Sequence, residues 1–206
     1  MKCKTLAKLT NNKIIFLSIV VGMLFLFNDA LAFYVNLNDF YADPSVIIAT
    51  DGMSANMTED PNYFSVLLSN DPSAGDPGIF IPLTAHNLTF NYNFTEPIGN
   101  DNYFYVWLIN PNTGTVLQDV QGNKLEFELD NTNSGTVIWN LIDAAFLGTT
   151  IGLEFQLNAN IEDTALTSEV RINNVQINAV PAPSTFFLLG SGLWILLNPK
   201  RKIYKH

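Results

Sequence analysis

Residues 87–95 read NLTFNYNFT, with Leu88, Phe90, Tyr92 and Phe94 at every second position and Asn or Thr at every position between. A helix would scatter these apolar residues around its axis. A strand puts them on one face and the amides and hydroxyls on the other. The same alternation returns in Lys124–Leu129 (KLEFEL), where Leu125, Phe127 and Leu129 turn inward. It returns again in Ile151–Asn158 (IGLEFQLN), with Leu153, Phe155 and Leu157 inward. Further strand signals lie at Val46–Thr50, Tyr63–Ser69, Tyr103–Ile109, Thr136–Leu141 and Glu169–Asn178. The intervals carry turn chemistry, such as Asp51-Gly52, Asp76-Pro77-Gly78, Gln121-Gly122-Asn123 and Ser134-Gly135. About nine or ten short strands with one polar face each predict an all-β, antiparallel β-sandwich. The strand count and the absence of a Cys…Trp…Cys frame favour a jelly roll over an immunoglobulin-like sandwich. Only Leu141–Leu147 reads as a helical turn.

The two ends are of different material. Lys2, Lys4, Lys8 and Lys13 precede an apolar run of 14 residues, Ile14–Phe27, and Ala30-Leu31-Ala32 supplies small residues at the spacing signal peptidase requires. This is the pattern of a secretory signal peptide, residues 1–32, cut after Ala32 so that the mature chain begins at Phe33. The run is shorter than the roughly 20 apolar residues of a spanning helix. At the other end Thr185–Leu197 is uncharged and apolar over 13 residues, and Lys200, Arg201, Lys202 and Lys205 follow it. A helix of this length with snorkelling basic residues predicts a short transmembrane anchor with a cytoplasmic C-terminus.

Between these ends, residues 33–180 form one expected domain with two bases, Lys124 and Arg171, against 18 acids, a balance of −16. Such a surface repels phosphate backbones and argues against nucleic-acid binding. It suits solubility and divalent cations. Cys3 is the only cysteine, so the domain has neither disulfide nor thiol chemistry. Its one histidine, His86, stands alone, and no H-E-x-x-H, G-x-S-x-G or Cys–His arrangement occurs. The expectation is a non-catalytic protein. Asn-x-Ser/Thr triplets at Asn56, Asn87 and Asn93 reflect the abundance of Asn and Thr on the strands.

Two constellations are candidates for binding. In Tyr103–Ile109 (YFYVWLI), Tyr103, Tyr105 and Trp107 share one face, and Phe104, Val106 and Leu108 the other. If the second set enters the core, the first forms an outward aromatic strip suited to sugar rings, with Asn91 and Asn93, or Gln156 and Asn158, beside it for hydroxyls. The alternative is a central strand buried on both faces. The second constellation is the loop Asn70–Gly78, in which Asn70, Asp71 and Asp76 are hard oxygen donors; Glu59 and Asp60 are candidates to join them around a structural Ca2+. The alternative there is a turn capped by its own carboxylates.

The order of the C-terminal segment resembles the PEP-CTERM sorting signal of Gram-negative bacteria. Val180-Pro181-Ala182-Pro183-Ser184-Thr185 matches V-P-E-P-S-T at every position but Ala182, and the glycine-bearing apolar run and basic end follow (residues 181–206). The resemblance implies an inner-membrane intermediate, cleavage by an exosortase, and delivery to the cell surface or an exopolysaccharide matrix. Leu68–Pro72, Gly75–Phe80, Leu88–Phe94 and Gly152–Asn158 are similar to the exported sandwich bodies of such proteins and to carbohydrate-binding jelly rolls. That likeness implies extracellular polysaccharide as partner. A structural matrix protein bridging through divalent cations is the other expectation, and a glycan hydrolase the third.

Overall fold

A computed structural model describes residues 31–97, 101–119, 121–141, 146–159 and 168–179. The expected signal segment through Ala30, the sorting motif Val180–Thr185, the apolar tail and most of the expected helical turn at 141–147 lie outside the described residues. Among the described residues no helix is long and apolar enough to cross a membrane.

Twelve strands are present among the described residues: β1 Leu31–Tyr34, β2 Tyr41–Ala42, β3 Val46–Ile48, β4 Ser54–Thr58, β5 Ser65–Asn70, β6 Ile79–Phe80, β7 Ala85–Thr95, β8 Tyr103–Ile109, β9 Glu126–Leu129, β10 Asn133–Asn140, β11 Thr150–Asn158 and β12 Glu169–Ala179. The first sheet runs β10-β7-β12-β4-β3, with β1 on β12; the second runs β2-β5-β11-β8-β9, with β6 on β11. Every pairing is antiparallel. From β6 onward each connection except β8–β9 carries the chain from one sheet to the other. Sequence neighbours are therefore seldom sheet neighbours.

The period-two pattern of β7 becomes the centre of the core. Leu88, Phe90 and Phe94 are fully buried. Phe90 meets Trp139 of its own sheet at 5.6 Å, and Phe155 and Phe127 of the other sheet at 5.4 and 6.2 Å, all edge to face. These geometries suit the ring quadrupoles and lock the sheets at one spacing. Phe94 and Tyr92 both pack on Phe104 across the interlayer.

Four strands, β1, β2, β4 and β6, exceed the predicted set. β4 reads SANMT and alternates Ala55 and Met57, both buried, with small polar residues; two apolar residues in five are too few to stand out as a period. β2 and β6 have two residues each and exist only through their partners β5 and β11. β1 straddles the expected cleavage point. Leu31 and Ala32 face Ala179 and Asn178, while Phe33 and Tyr34 face Ile177 and Gln176.

Candidate functional site

β8 alternates as its sequence suggested. Phe104, Val106 and Leu108 are fully buried between the sheets, and Tyr103, Tyr105 and Trp107 stand half-buried on the outer face of the second sheet. The strand is thus not buried on both sides. The Tyr105 and Trp107 rings lie 5.3 Å apart at 7°, and Tyr103 and Tyr105 5.9 Å apart at 18°. Parallel planes at such separations are offset stacks, so each ring covers part of the next and holds its rotamer. The result is a stiff aromatic ladder along the strand.

Register fixes what flanks the ladder. On β11, Asn158, Gln156 and Glu154 stand directly across from Tyr103, Tyr105 and Trp107. On β9, Glu128 stands across from Tyr105 and Glu126 from Trp107. Ser65, Leu67 and Ser69 of β5 complete the rows beyond β11. Cross-strand partners share a face at contact distance, so one face carries an aromatic file between an amide–carboxylate file and a carboxylate file. The Tyr105 hydroxyl donates to Glu128 Oε1 at 3.1 Å, and the Ser69 hydroxyl to Glu154 Oε2 at 3.1 Å. Burial, reinforced by the bond to Glu128, pushes the Tyr105 phenol up. Burial also pushes the Glu154 carboxyl up; the Ser69 bond opposes this and the charge of Asp71 adds to it. Asn158 Oδ1 is buried and has no hydrogen-bond partner.

Asn91 and Asn93 do not belong to this face. Both project outward from β7, which lies in the first sheet, so they sit on the opposite side of the sandwich from the ladder. Their period-two phase was right. β7 and β8, though adjacent in sequence, lie in different sheets. Gln156 and Asn158 are the true neighbours, joined by Glu154, Glu126 and Glu128, which sequence had marked only as outward.

Asn91 instead helps build a shallow concavity of about 420 Å3 on the first sheet, lined by Tyr34, Asn87, Thr136, Gln176 and Asn178 among others, none of them charged. Its amides are tied together. Thr136 Oγ1 donates to Asn91 Oδ1 at 2.7 Å, Asn91 Nδ2 to Asn173 Oδ1 at 3.1 Å, and Asn178 Nδ2 to Asn87 Oδ1 at 2.7 Å. A β-bulge on β12 shapes its rim, with Asn174 held at φ 54° in the left-handed region that Asn tolerates.

The proposed Ca2+ ligands are split. Asp71 caps a 3-10 turn, accepting from Ser73 N at 2.8 Å and Ser73 Oγ at 2.6 Å. Asp76 Oδ2 accepts from Asp71 N at 3.2 Å, and Asn70 Oδ1 from Gly78 N at 2.6 Å. These oxygens serve the loop's own N–H groups, as the capped-turn reading has it. Asp60 likewise accepts from Asn62 N, Ser45 Oγ and Asn62 Nδ2, and these bonds, the first above all, hold its carboxyl below the usual range. Glu59 and Asp60 precede β5 and the Asn70 loop follows it, so six extended residues, about 20 Å of strand, separate them. Among the described residues no three His, Cys, Asp or Glu side chains gather as a metal-binding group.

No family model matches the chain, and no curated protein matches it in sequence. Solved structures do show similarity. One is SGBP-B from a complex xyloglucan utilization locus of Bacteroides uniformis (13% identity, TM-score 0.38, covering 71% of this chain and 49% of that one). Another is the C-terminal CBM6 of the laminarinase LamC from Zobellia galactanivorans (16%, 0.31, 70% and 99%). A third is the mannan-recognising carbohydrate-binding module TmCBM27 (10%, 0.33, 73% and 85%). The chain spans about half the length of the first of these. At such identities and TM-scores these likenesses assign neither ligand nor activity.

Proposed function

We propose that the chain is an exported, non-catalytic glycan-binding sandwich with jelly-roll wiring, whose sugar contacts lie on the outer face of β8 and β11. The observation that carries this reading is the register of that face. Tyr103, Tyr105 and Trp107 form a stiff ladder, and Asn158, Gln156 and Glu154 stand directly across from it. A pyranose offers an apolar C–H face and a rim of hydroxyls; aromatic rings take the first, while amides and carboxylates take the second. Because the groups are already packed, little ordering entropy is lost on binding. The alternation of strands between sheets supports the jelly-roll assignment.

The amino-terminal and carboxy-terminal segments support export, anchoring in the inner membrane, processing by an exosortase at Val180–Thr185, and residence at the cell surface or in an exopolysaccharide matrix. Intact mass of protein from the extracellular fraction, beginning at Phe33 and ending near Pro183, is the expected result. A species still ending at His206 and confined to membranes refutes processing.

The binding test is affinity electrophoresis through gels containing the host's exopolysaccharide and a panel of plant and algal glycans. The native chain should be retarded in at least one gel, and Trp107→Ala should migrate freely while retaining a cooperative thermal transition. Retardation unchanged by Trp107→Ala refutes the ladder as the site. Absence of retardation throughout refutes glycan binding and leaves the structural matrix role.

A further inference from the structure

At the end of the sandwich where β4 finishes and β8 and β12 begin, a polar node is sealed between the sheets. Glu59 is only 7% exposed, Asn102 0% and Ser168 1%. Glu59 Oε1 accepts from Asn102 Nδ2 and from Ser168 N, the latter at 3.2 Å. Asn102 Nδ2 also donates to Ser168 Oγ at 2.6 Å, and Asn102 N donates to Glu96 Oε1 at 2.7 Å. Two carboxylates, from the ends of β4 and β7, therefore converge on one asparagine.

The second oxygen of Glu59, Oε2, is buried and accepts no hydrogen bond. Neither of the two bases among the described residues stands beside it. Lys124 pairs with Glu126 at 3.4 Å on the far strand β9. Arg171 is exposed on the outer face of the first sheet, across from Asn56 and Asn93. A carboxylate withdrawn from water with one oxygen unpaired and no cation beside it is among the least favourable arrangements a fold can hold. Neutral amide donors satisfy Oε1 and leave Oε2 with nothing.

We propose that this node is a Ca2+ site, with Glu59 Oε2 as its inward ligand and Glu96, Asn102 and Ser168 as further oxygen donors. Ca2+ accepts a mixed, irregular shell of carboxylate, amide, hydroxyl and carbonyl oxygens, completed by water. Binding calls for the Asn102 amide to turn over, presenting Oδ1 where Nδ2 now donates. The ion would clamp the ends of β4, β7, β8 and β12, and so both sheets, immediately before Tyr103 begins the aromatic ladder. The site is independent of the glycan reading. It also differs from the Asn70–Gly78 loop, whose carboxylates already cap their own turn.

The test is thermal unfolding and titration calorimetry on the purified full-length chain in mild detergent, in EGTA and in CaCl2. At free Ca2+ a hundredfold above the dissociation constant, the midpoint should rise by about 5–10 °C. Glu59→Gln should abolish that rise and Asp71→Asn should leave it intact. Asn102→Asp, which adds a third carboxylate, should melt lower than the native chain in EGTA and gain more from Ca2+. Absence of both binding heat and midpoint rise in the native chain overturns the proposal. So does a rise that survives Glu59→Gln or disappears in Asp71→Asn. Should Glu59→Gln fail to fold, Asn102→Asp decides: a midpoint indifferent to Ca2+ overturns the site.

Discussion

Phe90→Ala tests whether the sandwich is held where the structure places its centre. The ring is fully buried and touches Trp139, Phe155 and Phe127 at centroid distances of 5.6, 5.4 and 6.2 Å. Removing a core phenylalanine costs about 3–5 kcal/mol, through lost transfer energy and the cavity left behind. Phe90 belongs in the upper part of that range, because aromatic pairs contribute about 0.5–1.5 kcal/mol beyond area burial and it belongs to several. Two layers of rigid sheet also close poorly over a void. A cost of about 4 kcal/mol is a large share of the roughly 5–15 kcal/mol by which domains are stable. In a domain of this size it should lower the melting midpoint by about 8–16 °C. The matched control is Asn93→Ala on the same strand but the outer face, expected to change stability by less than about 0.5 kcal/mol. Urea unfolding followed by tryptophan fluorescence measures both. A Phe90→Ala cost below about 2 kcal/mol, or an equal cost at Asn93, would refute the assignment of β7's inner face as the structural centre.

Other perturbations follow from local geometry. Glu154 has its folded pKa raised by burial, above an unfolded value of about 4.3. The native state therefore binds the extra proton between the two values, and the stability linked to this group is present below that window and lost as pH rises through it. Glu154→Gln should accordingly stabilise the protein at pH 7 and lose its advantage near pH 3.5, as read from urea midpoints at both pH values; equal effects at the two would contradict the burial argument. Gly75 and Gly78 both have positive φ, 103° and 72°, but only Gly78 is crowded, since a Cβ there would run into Pro72 and Thr150 and stand 3.0 Å from the Ile151 carbonyl. Gly75→Ala should cost only the left-handed penalty of about 1–2 kcal/mol. Gly78→Ala should cost about 3 kcal/mol, with overpacking added, and a reversed order in equilibrium unfolding would count against this loop geometry.

Much of the fold was legible because side-chain direction in a strand is a local property. Leu88, Phe90 and Phe94, or Leu153, Phe155 and Leu157, fall on one side of their own backbone whatever that backbone pairs with. The alternation in Tyr103–Ile109 spans β8 residue for residue, and its two files are the buried and the aromatic faces of that strand. The illegible strands are those that lack such a pattern. β2 and β6 are too short to show a period, and β4 has only Ala55 and Met57 to mark its inner face. Their hydrogen bonds come from partners distant in sequence, which no local window contains.

The candidate sites divide along the same line. Alternation placed Tyr103, Tyr105 and Trp107 together, because residues two apart on one strand are neighbours by covalent geometry alone. It also placed Asn91 and Asn93 outward, but outward from which sheet is a question about pairing. The chain crosses between sheets after β7, so those amides face away from the ladder while Gln156 and Glu154, some sixty residues further along, stand beside it. The Glu59 node shows the same limit. Glu59, Glu96, Asn102 and Ser168 come from four separate strand ends and meet only where the sheets close. Sequence by itself determined which way each side chain points relative to its own strand, and the acidic balance of the whole. Tertiary structure decided which strands lie side by side, because register and sheet order are fixed by burying every inner face at once, a condition on the entire chain that no segment carries alone.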